Sequence, residues 1–241
     1  MRPRLITIGE AAKMIGVSID TLRRWDEKGK LVARRFSKEG HRYYRYEDVK
    51  FLLSDLYAAA INWVCSSSPY VPASPYYCEN IAVFQVKLSK LEKELGTIED
   101  LFAIYPMLSS IAGEIGNNSF DHNLGNWPDL MGVFFGYDLS RRIIVLADRG
   151  RGILQTLKRV RPELSSASEA VDVAFTEYIS GRAPENRGNG LKFVKKAIIE
   201  NPFSLIFQTG NAKLRLQQGD KELYIEEDPV SFRGCFAFVE F

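Results

Sequence analysis

The stretch Glu114–His122, EIGNNSFDH, constrains this chain more than any other. Leu108, Ile111, Ile115 and Phe120 fall at helical spacings before and within it, so the run reads as an amphipathic helix. On that helix Glu114, Asn118 and His122 are four residues apart and line one face. A carboxylate, an amide and an imidazole in a row are poor core material, because buried polar groups cost energy unless paired. They suit an exposed polar face or a bound ion. Mg²⁺ prefers oxygen ligands and keeps waters and substrate phosphates around it. Asn118 offers one amide oxygen. Glu114 can orient or deprotonate a water or hydroxyl that attacks a γ-phosphate.

Two glycine motifs follow. Ile143–Leu146 is a short apolar, β-branched run that reads as a buried strand ending in Asp148. Gly150 and Gly152 come next and permit tight turns and close backbone approach. An ionised Asp148 only accepts hydrogen bonds, which fits the exocyclic amine of adenine; the same residues also fit an ordinary strand-to-helix turn. Further on, Gly188-Asn-Gly190-Leu191 precedes an amphipathic run of Leu191, Val194, Ile198 and Ile199. That places Gly188–Gly190 at a helix N-terminus, where free N–H groups and the helix dipole favour phosphate. Ser180–Arg187 is polar and contains Gly and Pro, as a lid over a nucleotide would.

The order ExxxNxxxH, DxGxG, GxGL resembles the GHKL ATPases, the group of gyrase, heat-shock chaperones, histidine kinases and MutL. The resemblance covers roughly residues 82–241. It implies ATP and Mg²⁺ as ligands, with Glu114 the catalytic glutamate, Asn118 the magnesium ligand and Asp148 the adenine reader. Gly150, Gly152, Gly188 and Gly190 match the two glycine boxes, and His122 and Leu191 accompany them in the ATP site. The ending Gly234-Cys-Phe-Ala-Phe-Val-Glu-Phe resembles the family's last strand, with Cys235 where a threonine commonly stands.

Charge is placed unevenly. Residues 1–57 hold 13 Lys/Arg against 8 Asp/Glu, a net +5, and the remainder 19 against 22, a net −3. That asymmetry predicts an N-terminal module facing an acidic partner and a separate C-terminal body. Thr7-Ile-Gly-Glu10 has the form of a capping box. Ile8, Ala11, Ala12 and Ile15 then give a short helix, Gly16-Val17-Ser18 a turn, and Ser18 caps a second helix over roughly 19–28. Leu31–Phe36 and His41–Arg45 read as two strands of a basic wing turning at Ser37–Gly40, and Tyr46–Leu56 restarts as a helix. This whole segment resembles a MerR-type winged helix-turn-helix. The expected DNA contacts are Ser18, Thr21, Arg23, Arg24 and Lys28 on the second helix, and Arg35, His41, Arg42 and Tyr43 on the wing. Arginines on such a helix read guanine edges, whereas Arg34, Arg35, Arg42 and Arg45 suit phosphates.

The expected organisation is residues 1–57 as the DNA-binding module, 58–81 as a Ser/Pro/Tyr-rich linker, and 82–241 as the ATP-binding domain. The fold class is α+β, a winged helix-turn-helix joined to a two-layer α/β sandwich with its helices on one sheet face. Phe84, Leu88, Leu91 and Leu95 fit a helix seam, packed either within the domain or across a dimer.

With 46% hydrophobic residues, the chain has ample core. No apolar run approaches the ~20 residues of a membrane span, and Met1-Arg-Pro-Arg leads straight into patterned sequence with no signal peptide. Cys65, Cys78 and Cys235 lack metal spacing and read as reduced cytosolic thiols, so the expected location is the cytoplasm. The expected protein is a dimeric, double-stranded-DNA-binding transcriptional regulator that binds ATP and Mg²⁺, with turnover through Glu114 left open. Two rivals stand beside it. One is a serine or histidine protein kinase of anti-sigma-like type acting on a separate protein partner. The other is a DNA-dependent ATPase of a mobile-element or defence system.

Overall fold

The computed structural model describes residues 4–15, 17–27, 31, 33–37, 40–46, 49, 56–177 and 189–241. They form two compact units, the first of Met1–Leu56 with Ala73–Tyr76, the second of Tyr57–Pro72 with Tyr77–Phe241.

The first unit starts with β1 (Leu5–Thr7), α1 (Ile8–Ile15) and α2 (Ile19–Glu27), followed by β2 (Tyr43–Arg45). The predicted capping box is present: Thr7 N donates to Glu10 Oε2 at 2.7 Å, and Glu10 N donates to Thr7 Oγ1 at 3.2 Å. Ser18 Oγ accepts from Thr21 N at 3.1 Å and starts α2. Ala11, Ala12, Ile15, Val17, Leu22, Leu31, Tyr44 and Val49 make the core, with Trp25 packed at its margin. Two predictions change here. Leu31–Phe36 is not a full strand: among the described residues it reduces to an antiparallel bridge between Arg34 and Tyr43. The wing's other arm, β2, makes that bridge through Tyr43 and also pairs with β1, from Leu5 opposite Arg45 to Thr7 opposite Tyr43. Most of the predicted helix Tyr46–Leu56 lies outside the described residues.

The second unit is α+β. Its elements are α3 (Leu56–Val64, the first residue belonging to the other unit), β3 (Tyr77–Cys78), α4 (Ile81–Leu95), α5 (Tyr105–Asn123), β4 (Val133–Asp138), β5 (Ile143–Asp148), α6 (Gly152–Leu157), α7 (Ala167–Thr176), α8 (Gly190–Glu200), β6 (Ser204–Gln217) and β7 (Tyr224–Glu240). The sheet is antiparallel in the order β3-β4-β5-β7-β6. From sequence, Phe203–Gln208, Lys213–Gln217, Glu222–Ile225 and Cys235–Phe241 read as four short strands; β6 and β7 instead run as two long ones. The apparent break reflects Gly210, at φ +55°, and Pro229, which has no N–H to donate; the register shifts take up both.

Side chains alternate across the sheet. Phe135, Leu146, Ala237 and Phe207 share one face and enter the main core, which also buries Phe84, Leu91 and Leu95 of α4 and Leu108, Ile111 and Ile115 of α5. The apolar stripe of α4 thus packs into its own unit. Contact between α4 and α5 is close, since a Cβ on Gly116 would stand 2.1 Å from the buried Phe84 ring.

The opposite face corrects two expectations. Residues 58–81 were read as an extended linker, and the helices were placed on one sheet face. In the structure Ala60, Trp63 and Val64 of α3 are buried. Tyr57 stacks edge-on against Phe236 and Phe238, and Trp63 lies 6.1 Å from the Phe134 ring. The sheet is therefore covered on both faces, because Phe134, Phe236 and Phe238 form an aromatic row that demands burial.

Candidate functional site

On α5 the residues Glu114, Asn118 and His122 are all partly exposed, while Ile115, Gly116, Ser119 and Phe120 are buried. The predicted polar face therefore exists and looks out of the core. α8 begins at Gly190 with Asn189 as N-cap, and no side-chain cap bond is made there. Gly190 approaches Glu114 so closely that a Cβ would stand 2.4 Å from Glu114 Oε2 and 3.3 Å from Asn118 Nδ2. A carboxylate, an amide and a helix N-terminus are thereby brought to one point. That donor set fits a hydrated Mg²⁺ carrying phosphate oxygens. Leu191 packs against the core rather than into open space. Gly188 and the predicted lid at 180–187 lie outside the described residues. Burial, and then the nearby Arg159, hold the His122 imidazole below its usual pKa, which favours its neutral form.

Asp148 ends β5 and is 1% exposed. Its Oδ2 accepts from Ser119 Oγ at 2.8 Å and its Oδ1 from Gly150 N at 2.8 Å. Burial raises its pKa to about 6, against the pull of donors from Ser119, Gly150, the Cys235 backbone and Asn123. Asn123 ties the loop to α5: its Nδ2 donates to Ser119 O at 2.8 Å and its Oδ1 accepts from Arg151 N at 2.9 Å. The two glycines of this loop serve different ends. Gly150 leaves room for Asn123, whose amide would stand 2.1 Å from an added Cβ, and Gly152 takes φ +73° to start α6. Thr209 Oγ1 accepts from Ile153 N at 3.2 Å and from Cys235 Sγ at 3.7 Å.

Ser119, Asn123, Thr209 and Arg149 were missed in the sequence reading. Ser119 and Asn123 carried a signal, being four apart on a stripe next to Asn118 and His122. Thr209 carried none, because only strand pairing brings it opposite Cys235. Arg149 is fully buried: its Nη2 donates to Asp129 Oδ2 at 2.6 Å, and its Nη1 donates to the carbonyls of Trp63 and Val64. A groove of about 370 Å³ runs elsewhere, along β6 and β7 past Arg215, Asp220, Tyr224 and Glu240, and none of the motif residues lines it.

In the first unit, Arg23 and Arg24 are exposed on α2. Arg23 pairs with Asp20 at 2.7 Å, and Arg24 Nη2 donates to Thr21 Oγ1 at 3.3 Å. Asp26, at the end of the same helix, gathers Arg35 at 2.7 Å, Arg42 at 2.8 Å and the N–H of Ala33 at 2.9 Å. Burial works to raise the Asp26 pKa, but the bonds from Arg42, Ala33 and Arg35 outweigh it and hold the carboxyl below its usual value. His41 is exposed and Tyr43 half-buried against Phe36, while Lys28 lies outside the described residues.

Residues 7–44 match the family profile described as MerR family regulatory protein. They form a MerR-family helix-turn-helix domain. Type II methyltransferase M.Eco47II of Escherichia coli is 46% identical to the chain over 44 residues, which is 18% of this chain and 11% of that protein. The chain thus spans only about a tenth of that curated relative. Within the MerR-family domain, Asp26 ties α2 to the wing, beside the bond from Tyr44 OH to Leu22 O. It holds Arg35 and Arg42 on one carboxylate, so these two cations keep a fixed spacing along the domain's basic side. No helix among the described residues is long and apolar enough to cross a membrane.

Proposed function

We propose that this chain is a DNA-binding transcriptional regulator whose second unit binds ATP with Mg²⁺. The observation that carries the nucleotide part is the convergence of Glu114, Asn118 and the N-terminus of α8 at Gly190. Glu114 and Asn118 would hold the hydrated metal, which would supply neutralising charge to the phosphate oxygens. The N-terminal turn of α8 receives the phosphates through its free N–H groups. Asp148 receives the base amine, which takes the place of one of its present donors. In this proposal Glu114 also orients a water, so ATP turnover belongs to it.

Titration calorimetry of the full chain with ATP and Mg²⁺ is the test. Wild type is expected to bind saturably. Gly190→Val is expected to fold, because the nearest atom to its new Cβ is the free end of the Glu114 side chain, which can move. It is expected to lose ATP affinity by about tenfold or more, since the added side chain fills the space for the phosphate and metal. Wild-type chain with no binding heat, and no protection by ATP, would sink the reading.

The same titration carries a pH signature. The ionised Asp148 accepts the base amine and the protonated one does not, so affinity is expected to fall as pH drops through about 6. Stability runs the other way at this group. A carboxyl raised from its usual 3.8 to about 6 by folding stabilises the fold fully below pH 3.8, and that contribution is lost as pH rises through about 6. Acid therefore weakens the complex while favouring the apo fold at this residue.

For DNA, Arg24→Ala is expected to cost about 1–3 kcal/mol and relax base preference, as for an arginine reading guanine. Arg42→Ala is expected to weaken all sequences alike and lower the salt slope by about one. Gel-shift titrations over a salt series separate the two patterns. Equal loss on specific and random DNA for Arg24→Ala would remove its base-reading role.

A further inference from the structure

Strand alternation at the end of β5 sends two neighbouring side chains to opposite faces of the sheet. Asp148 meets α5 through Ser119. Arg149 meets α3 on the other side, where its Nη1 donates to Trp63 O at 2.6 Å and Val64 O at 3.3 Å. These are among the last carbonyls of α3, which the helix cannot satisfy alone, and a cation there also meets the negative end of the helix dipole. The guanidinium is locked from its other edge by Asp129, through Nη2 at 2.6 Å and Nε at 3.2 Å.

α3 is also where the chain enters the second unit, with Leu56 in one unit and Tyr57 in the other. The backbone of Arg149 lies between Asp148 and Gly150, and the Gly150 N–H donates to Asp148 Oδ1 at 2.8 Å. Three consecutive residues thus carry the carboxylate of the proposed base site, the loop glycine beside it, and the cap of the entry helix.

We propose that Arg149 couples occupancy of the pocket around Asp148 to the stability of the C-terminal turn of α3. The proposal rests on the nucleotide reading of that pocket. A ligand that takes one of the Asp148 acceptor positions redirects its carboxylate and the Gly150 N–H. Peptide planes are rigid, so the groups on either side of the Arg149 Cα turn as units. A planar guanidinium that satisfies a carboxylate and two carbonyls at once tolerates little displacement, and the weakest of its bonds, to Val64, gives first. The ligand shifts the helix end to the extent that it prefers one arrangement of this loop over the other.

The test is hydrogen exchange by mass spectrometry on the full chain, with calorimetry run in parallel on the same samples. The amides to follow are Cys65, bonded to Ile61 O at 2.9 Å, and Ser66, bonded to Trp63 O at 3.3 Å. Without nucleotide, Arg149→Lys is expected to raise their exchange about tenfold, because an ammonium lacks the planar fork that spans Asp129 on one edge and the two carbonyls on the other. Arg233→Ala removes a second cation from Asp129 and is expected to leave these amides unchanged. ATP with Mg²⁺ is expected to shift their exchange about threefold in wild type, and not in Arg149→Lys that still binds ATP. Unchanged wild-type exchange at calorimetrically saturating ATP overturns the coupling and leaves the pocket standing. Absent calorimetric binding removes the pocket reading and the coupling with it. The wild-type arm decides even if the lysine variant does not fold.

Discussion

Asp129→Ala is expected to destabilise the second unit by about 3–5 kcal/mol, the largest single effect among substitutions outside the apolar core. The reason is the partner it leaves behind. Arg149 has no exposed side-chain surface, and Asp129 provides its counter-charge through both Nε and Nη2. Without it, a guanidinium stays buried with only two helix carbonyls for compensation. The reverse removal costs less. Arg149→Met leaves Asp129 with Arg233, at 2.6 Å on the solvent side, so its charge remains paired. Burial works to raise the Asp129 pKa, yet the bonds from Arg149 and Leu130 N–H and the charge of Arg233 hold it below normal, consistent with a carboxylate that stays ionised. Thermal unfolding followed by circular dichroism should show Asp129→Ala melting on the order of 10 °C below wild type, with Arg149→Met between them. Equal melting of Asp129→Ala and wild type would mean that the buried cation is solvated in solution.

Gly234→Val is expected to have an effect of similar size for a different reason. A Cβ at Gly234 would stand 2.2 Å from the Asp148 carbonyl oxygen and 2.3 Å from its Oδ1. The first of these is backbone in a paired strand, so it cannot swing aside as a side-chain tip does. Overpacking in a close-packed site costs about 1–3 kcal/mol, and more when backbone must move. The strain also falls on the loop that carries Asp148 and Gly150, so ATP affinity is expected to drop beyond detection before the fold is lost. Gly190→Val is the matched comparison, since it clashes only with a movable carboxylate. Chemical denaturation should find Gly234→Val less stable and Gly190→Val near wild type. Comparable stability for both would show that β7 can shift away from β5 at little cost.

The parts of this molecule that were legible in its sequence are those fixed by local periodicity. The four-residue spacing of Glu114, Asn118 and His122 predicted a polar face on a helix, and α5 shows it. The capping pairs Thr7 with Glu10 and Ser18 with Thr21 were readable because their partners lie three residues apart. What was not legible depends on partners far along the chain. LYAAAINWV is apolar nearly all round and sits beside a Ser/Pro/Tyr-rich run, so nothing local marks it as the cover of a sheet; Phe134 and Phe236 make it so. Arg149 looked like a variable position inside DxGxG. Its burial follows from Asp129, 20 residues earlier, and from carbonyls 85 and 86 residues earlier. The approach of Gly190 to Glu114 was likewise implied only by the order of the motifs, and strand and helix packing supplied the geometry.

The chain passes from one unit to the other three times, after Leu56, after Pro72 and after Tyr76. Neither unit is therefore a continuous piece of sequence that a recombination event could cut out and paste elsewhere intact. A gene fragment starting at α4 would encode a sheet stripped of Tyr57 and Trp63, with Phe134, Phe236 and Phe238 bare to water. A fragment ending at Leu56 would likewise lack Ala73, which packs on the core of the helix-turn-helix unit. The two halves are interleaved as text.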